Sequence, residues 1–196
     1  MTKTFYKNLI LEIPASVYEP REDSFLLAEV LEKENLAGKK VLDLGTGSGL
    51  LAILAARGGA EVFAADIDEK TLECAKQNAK ANGAKINFVL SDLFQNLKKE
   101  KFDFIIFNAP YLPEKQTEFS RAWAAGENSE LILRFISEAK NFLNPAGKIL
   151  LLISSLAGIE KTRKKFGREG FSASIIKEKK IPWETLFAVE ARKLDL

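Results

Sequence analysis

The tetrapeptide Asn108-Ala109-Pro110-Tyr111 directly follows an apolar run, Phe102–Phe107, with the sequence Phe-Asp-Phe-Ile-Ile-Phe. Such a run reads as a buried strand. A strand that stops at an amide, a proline and an aromatic ends in a site rather than in a core. Asn108 offers a carbonyl oxygen as acceptor. Pro110 has no N–H and a fixed φ, so carbonyls near it can be held facing a pocket. Tyr111 can stack on a flat group. The set suits a planar –NH2 with two hydrogens to donate, and hence chemistry on an amide or amine nitrogen.

A second group lies upstream, in Asp43-Leu44-Gly45-Thr46-Gly47-Ser48-Gly49. Glycines after a strand let a ligand approach the backbone closely. The spacing discriminates between ligands. A dinucleotide fingerprint needs a small residue where this chain has Leu50, and the Gly-Lys-Ser/Thr of a phosphate loop is absent. Asp43 would repel a pyrophosphate but suits a cation. A sulfonium carrying an α-amino group is cationic, so the pattern favours S-adenosylmethionine over NAD or ATP. Asp66, 21 residues after Gly45, ends the next apolar run, where a carboxylate accepts from both hydroxyls of a ribose. Asp68 is placed to cap the helix that follows. Asp92 comes after a third apolar run and suits either an adenine amino group or a turn.

These residues need elements that bring them to one edge. Helical patterns are expected from Asp23 or Ser24 to about Lys33, from about Leu50 to Arg57, over Lys70–Asn82, over Ser129–Phe142 and over Ile159–Phe166. Strands are expected at Lys40–Leu44, Glu61–Ala65, Lys85–Leu90, Phe102–Phe107 and Lys148–Ser154. Residues 1–13 read as a strand or arm, and Asn144–Gly147 as a turn. Phe171–Glu178 and Leu186–Ala191 read as a closing strand pair across a loop at Lys179–Thr185. This alternation calls for a parallel sheet covered by helices on both faces. In such folds ligands bind beyond the carboxyl ends of the strands, which is where Gly45–Gly49, Asp66, Asp92 and Asn108–Tyr111 fall.

Composition narrows the chemistry. The chain has 196 residues, enough for one domain with a sizeable core, and a net charge of +2, which makes no case for nucleic acid on charge alone. It has no histidine. A Ser-His-Asp triad and a histidine-based zinc site are therefore excluded, and the commonest general base is missing. The one cysteine, Cys74, allows no internal disulfide and reads as a small buried apolar residue. With no membrane-spanning stretch and no signal-peptide pattern, a cytoplasmic protein is expected.

In order, each at the end of a successive strand, these residues resemble the class I S-adenosylmethionine-dependent methyltransferases. Asn108-Ala109-Pro110-Tyr111 is similar to the Asn/Asp-Pro-Pro-Tyr/Phe motif of members that methylate planar nitrogens. Val17-Tyr18-Glu19-Pro20-Arg21-Glu22-Asp23-Ser24-Phe25-Leu26-Leu27 and Trp123-Ala124-Ala125-Gly126 resemble segments of the HemK-like release-factor glutamine methyltransferases, in their short eukaryotic and archaeal branch. Ala109 and Ala125 depart from the family pattern, where proline and glycine stand.

The resemblance implies a doubly wound, mostly parallel seven-stranded α/β sheet with a C-terminal antiparallel strand pair. It implies one methyltransferase domain over 1–196, with an N-terminal segment and helix in 1–37 and the Rossmann-like core in 38–196. S-adenosylmethionine would be held by Ser24, Asp43, Gly45, Gly47, Gly49, Asp66, Asp92 and Asn108, with Asn108, Pro110 and Tyr111 catalytic and no metal. Ser24 reads equally as a helix cap. The acceptor would be a glutamine amide of a peptide-chain release factor, with a tRNA, rRNA or DNA base amine as the alternative. A small zinc-containing activator subunit would add at the sheet edge formed by Ile86, Phe88 and Leu90.

Overall fold

A computed structural model of the chain describes residues 1–97, 100–109 and 130–194. The elements, in chain order, are β1 (Thr2–Tyr6), β2 (Leu9–Ile13), α1 (Glu22–Leu31), β3 (Lys40–Leu44), α2 (Leu50–Arg57), β4 (Glu61–Asp66), α3 (Glu69–Ala81), β5 (Asn87–Leu90) and β6 (Phe102–Asn108). There follow α4, whose described residues are 130–139, then β7 (Leu143–Ser154), α5 (Ile159–Arg168), β8 (Phe171–Ile181) and β9 (Glu184–Lys193).

Seven strands form one sheet in the order β5-β4-β3-β6-β7-β9-β8. The strands β5, β4, β3, β6 and β7 are mutually parallel, and β9 runs antiparallel to both β7 and β8. Val41, Leu42, Ile105, Ile106 and Ile149 to Ile153 are fully buried. Their continuous apolar runs are what a parallel sheet covered on both faces requires. The order of strands reverses between β3 and β6. From β3 the chain steps outward through β4 to β5, then returns to the other side of β3 with β6. This puts the topological switch point, and the crevice it opens, at the carboxyl ends of β3 and β6.

Several boundaries differ from the sequence reading. Helix α1 begins at Glu22 with Arg21 in the cap position and no side-chain cap. Asp23 and Ser24 lie inside the first turn instead, so their side chains are free for other partners. Asn144–Gly147 is not a separate turn but an irregularity within β7, where the register with β6 shifts between Phe102 and Phe104. The expected loop at Lys179–Thr185 is mostly strand: β8 and β9 continue until Ile181 pairs with Glu184, leaving only Pro182 and Trp183 to turn the chain.

The N-terminal residues form a separate antiparallel hairpin, β1–β2. Its inward residues Tyr6, Leu9, Leu11 and Ile13 are buried. The outer edge of β2 is completed by two asparagines one turn apart, Asn78 on α3 and Asn82 at its carboxyl cap. Asn78 Oδ1 accepts from Glu12 N at 2.9 Å and Asn82 Oδ1 from Ile10 N at 3.3 Å, while their amide groups donate back to Glu12 O and Ile10 O. Cys74 is buried and donates to the Glu12 carbonyl. No described helix is long and apolar enough to cross a membrane.

Candidate active site at the carboxyl edge of the sheet

The glycine turn after β3 is built by its own carboxylate. Asp43 is 1% exposed. Its Oδ2 accepts from Thr46 Oγ1 at 2.7 Å and from Ala52 N, in the first turn of α2, at 3.2 Å. One oxygen thus ties both ends of the turn together. Burial pushes the Asp43 carboxyl up to about 7, against the lowering effect of these two hydrogen bonds; the charge of Asp66 raises it further. Burial thus favours the neutral form, and a cation beside it would favour the charged one.

Gly47 and Gly49 show why glycine is needed here. Gly49 has φ +85°, and a Cβ on it would lie 3.2 Å from Ala75 Cβ and 3.3 Å from Ala75 Cα. It sets how closely α3 packs on the turn. Gly47 has φ +57°, and among the described residues a Cβ on it would meet only the Gly45 carbonyl, at 3.9 Å, so these leave space in front of it. The Gly47 N–H donates to Asp66 Oδ2 at 3.1 Å, and Asn78 Nδ2 holds the Ser48 carbonyl at 2.9 Å.

Asp66 closes β4 beside the turn. Its other oxygen accepts from Asp68 N at 3.1 Å. Burial raises its pKa, while the N–H groups of Asp68, Gly47 and Ile67 oppose that rise. Asp68 is the cap of α3, accepting from Lys70 N at 2.8 Å. Asp92 lies past the end of β5, where Arg134 of α4 pairs with its Oδ1 and Gln95 Nε2 approaches Oδ2 at 3.5 Å. Parallel strands about 4.8 Å apart thus carry Asp92, Asp66, the glycine turn and Asn108 in one row along one edge.

Asn108 is the last residue of β6, paired with Leu152 of β7. Its amide nitrogen donates to Asp23 Oδ2 at 3.0 Å and to Ser24 Oγ at 3.2 Å. An ionised carboxylate only accepts hydrogen bonds, so Asp23 fixes which end of the amide is which. The result is that Asn108 Oδ1 is buried and takes no hydrogen bond from any described residue. A buried acceptor without a partner costs about 1–3 kcal/mol, and a ligand donor would remove that cost. Asp23 is held in turn by the Tyr18 hydroxyl at 3.1 Å and the Ser24 hydroxyl at 3.3 Å. Burial, then the Asp23 charge and its hydrogen bond, keep the Tyr18 phenol well above its ordinary range, so it stays a donor.

The structure therefore brings Ser24 and Asn108 together, sets Asp43 and the three glycines one strand away, and places Asp66 and Asp92 further along the edge. Pro110, Tyr111 and the Trp123–Gly126 segment lie outside the described residues. Ala109 is buried, at 2% exposure. Sequence reasoning missed the role of Asp23, which it treated as a helix start. The available signal was its place beside Ser24 in the Glu-Asp-Ser segment. It also missed Asn78, whose partners are 30 and 66 residues away in the chain.

A glycine turn, a strand-end carboxylate and a strand-end amide stand in one row at the crevice of a Rossmann-like sheet, an arrangement able to hold a nucleoside cofactor beside a hydrogen-donating group. The chain belongs to the Methyltransferase small domain family, which matches residues 21–177. A Methanocaldococcus jannaschii protein provisionally named as a protein N5-glutamine methyltransferase is 39% identical over 191 residues, covering 94% of this chain and 95% of that protein. Methyltransferase HEMK2 of Homo sapiens is 31% identical, covering 91% of each. The release factor glutamine methyltransferase of Streptococcus pneumoniae is 35% identical over an alignment of 162 positions, covering 76% of this chain but only 58% of that one. Among solved structures, the E. cuniculi Mtq2-Trm112 complex, responsible for methylating the eRF1 translation termination factor, superposes with a TM-score of 0.71 at 27% identity, covering 90% of this chain and 98% of that one. A methyltransferase from Pyrococcus furiosus has the same fold, with a TM-score of 0.76 and coverage of 96% and 91%, at 19% identity.

Proposed function

We propose that this chain methylates the side-chain amide nitrogen of a glutamine in a peptide-chain release factor, with S-adenosylmethionine as donor, in the cytoplasm. The observation that carries the reading is the orientation of Asn108. Its nitrogen is pinned by Asp23 and Ser24, and its buried oxygen is left without a described partner. A primary amide brings the N–H that this oxygen lacks. The activities for which the relatives are named support glutamine over a nucleobase, as does a net charge of only +2.

The cofactor fits the row of strand ends. The Gly47 position, open where a Cβ would stand, gives room at the turn. Asp66 would take the ribose and Asp92 the adenine, with Asp43 and Ser24 nearer the charged amino-acid end. When bound, S-adenosylmethionine supplies an electrophilic methyl group on a sulfonium.

An amide nitrogen is a poor nucleophile because its lone pair is delocalised into the carbonyl. The protein offers no histidine to take a proton beforehand, and the reading needs none. Asn108 Oδ1 would accept one N–H, and the Pro110 carbonyl the other. Held by both hydrogens, the nitrogen keeps its lone pair turned out of conjugation and aimed into the crevice. Tyr111 would cover the amide face and exclude water. The proton leaves to solvent after the nitrogen has gained its methyl group.

An activator subunit is part of the proposal. Strand β5 is an edge of the sheet, with Leu90 46% exposed and Ile86 and Phe88 half-buried beside a hollow of about 550 Å³. An edge with unpaired backbone groups accepts a strand from a partner, as the solved two-subunit relative makes reasonable. The zinc-containing nature of that partner rests on the family resemblance. The test is to incubate the protein, with and without an activator subunit, with methyl-labelled cofactor and either release factor or tRNA. Label on the factor supports the reading; label on RNA alone overturns it.

A further inference from the structure

The turn between β8 and β9 carries a tryptophan that neither the fold nor the site explains. Trp183 is 91% exposed and has φ +76°. With Pro182 before it, this is the arrangement in which the second turn residue is ordinarily glycine. A bulky residue there is backbone-strained. Exposure and strain both argue against Trp183 on grounds of folding, and Gly would serve the turn better.

The tip is held in place and faces the working edge. Ser154, at the carboxyl end of β7, donates to Glu184, and Thr185 N donates to Ser155 Oγ at 3.0 Å. Because β9 is antiparallel to β7, its start lies at the end of the sheet where Asn108 lies. Asn108 is level with Leu152, and Leu152 with Ala188. From there, two strand spacings across and five residues along put Trp183 on the order of 20 Å from Asn108. Lys179 and Lys180 are exposed on the same hairpin.

We infer that Trp183 is a docking anchor for the protein substrate, inserting into an apolar pocket rimmed by acidic side chains on the release factor, away from the methylated glutamine. This rests on the proposed function and deepens it, since a small amide alone could not reach the tip. An exposed tryptophan on a turn whose flanking residues are held supplies a large apolar contact with only two side-chain torsions to fix, and Lys179 and Lys180, which outnumber the exposed Glu178 beside them, favour an acidic rim.

The test uses Trp183→Ala, Trp183→Phe and Trp183→Gly in the full chain with its activator. Two substrates are compared: the intact release factor and a five-residue peptide centred on its methylated glutamine, too short to span the distance. For the intact factor, Trp183→Ala and Trp183→Gly should raise KM about tenfold with kcat unchanged, and Trp183→Phe should retain most of the wild-type KM. Peptide methylation and cofactor affinity should not change. Trp183→Gly should melt at the same or a higher temperature than wild type, which a structural role would not allow. An unchanged KM for the factor in Trp183→Ala overturns the inference and leaves the proposed function standing. An equal rise in KM for the peptide also overturns it, by placing the effect at the site. If wild-type protein labels tRNA and not the factor, the proposed function fails, and the inference with it.

Discussion

Asn108 Nδ2 lies 3.0 Å from Asp23 Oδ2, across 85 residues of chain. The end of β6 and the first turn of α1 are thereby joined by a bond whose direction chemistry dictates, because the carboxylate can only accept. The acceptor proposed for the reaction is thus oriented by a residue that need not touch the substrate.

Removing the acceptor and removing its orienter should have different signatures. Asn108→Ala should bind cofactor normally and lose kcat by about 10²–10³, the usual cost of deleting one preorganised polar group at a reacting centre. Asp23→Ala should cost kcat less, about tenfold to a hundredfold, since the amide is present but free to rotate. Asp23→Asn should fall between Asp23→Ala and wild type. Single-turnover rates with saturating cofactor measure this. Equal losses in Asn108→Ala and Asp23→Asn would contradict the orienting role.

The two glycines should separate cofactor binding from stability. Gly47→Ala puts a methyl group into open space, so it should reduce stability only by the strain of its positive φ, about 1–2 kcal/mol, while weakening cofactor binding at least tenfold. Gly49→Ala drives a methyl group onto Ala75 of α3, 3.2 Å from its Cβ and 3.3–3.4 Å from its backbone. It should reduce stability further, by about 2–4 kcal/mol when strain and overpacking add. Calorimetry of folding and of cofactor binding on both variants gives the comparison. A Gly47→Ala protein with wild-type cofactor affinity would rule out that face as the cradle.

The pH dependence of Asp43 follows from its burial. Its folded pKa of about 7 stands above the ordinary 3.8. Folding therefore favours the protonated form. The stability contribution of this group is greatest below the unfolded value and declines as pH rises through the window from about 4 to 7. Asp43→Asn keeps an acceptor oxygen for Thr46 and Ala52 but has no charge to bury. Its melting temperature relative to wild type should increase from pH 5 to pH 8. Cofactor affinity should show the reverse benefit: it should rise with pH toward a plateau above 7 in wild type and be weaker and flat in the variant. A wild-type affinity that does not change between pH 6 and 8 would count against a cation beside Asp43.

What could be read in the sequence follows from how local each signal is. The apolar runs of β3, β4 and β6 are buried on both faces, so they announce themselves, and the polar residues that interrupt them mark the site edge. Strand β8 is exposed along most of its length. With no buried face to impose alternation, its end at Lys179-Lys180 reads as a loop although both residues are paired to β9. The hairpin β1–β2 was legible only as a strand or arm, because the groups that complete its edge are side chains on and at the end of a helix more than sixty residues later. Asp23 was legible as a helix start and not as a site residue, since its partner is fixed only by the tertiary fold. The strand-end residues were foreseen for the same reason that the sheet was: in a parallel sheet, position after a strand is position at the crevice.

Asn78 joins the N-terminal hairpin to the glycine turn, and its removal should affect both. The residue is 2% exposed. Its oxygen accepts from Glu12 N at 2.9 Å, and its nitrogen donates to Glu12 O at 3.2 Å and Ser48 O at 2.9 Å. Asn78→Leu has nearly the same volume but leaves all three backbone groups without these partners. Part-buried groups left so cost about 1–3 kcal/mol each, less where water enters, so a total loss of about 2–4 kcal/mol is expected. Asn82, one turn later, is half-buried and sits at the exposed end of the hairpin. Asn82→Leu should therefore cost under about 1–2 kcal/mol, because water can replace its contacts with Ile10. Only Asn78→Leu should also weaken the cofactor, since only Asn78 holds the Ser48 carbonyl inside the turn. Urea denaturation of the two variants, with cofactor titrations on each, makes the distinction. Equal stability losses, or wild-type cofactor affinity in Asn78→Leu, would mean that the hairpin and the glycine turn are independent.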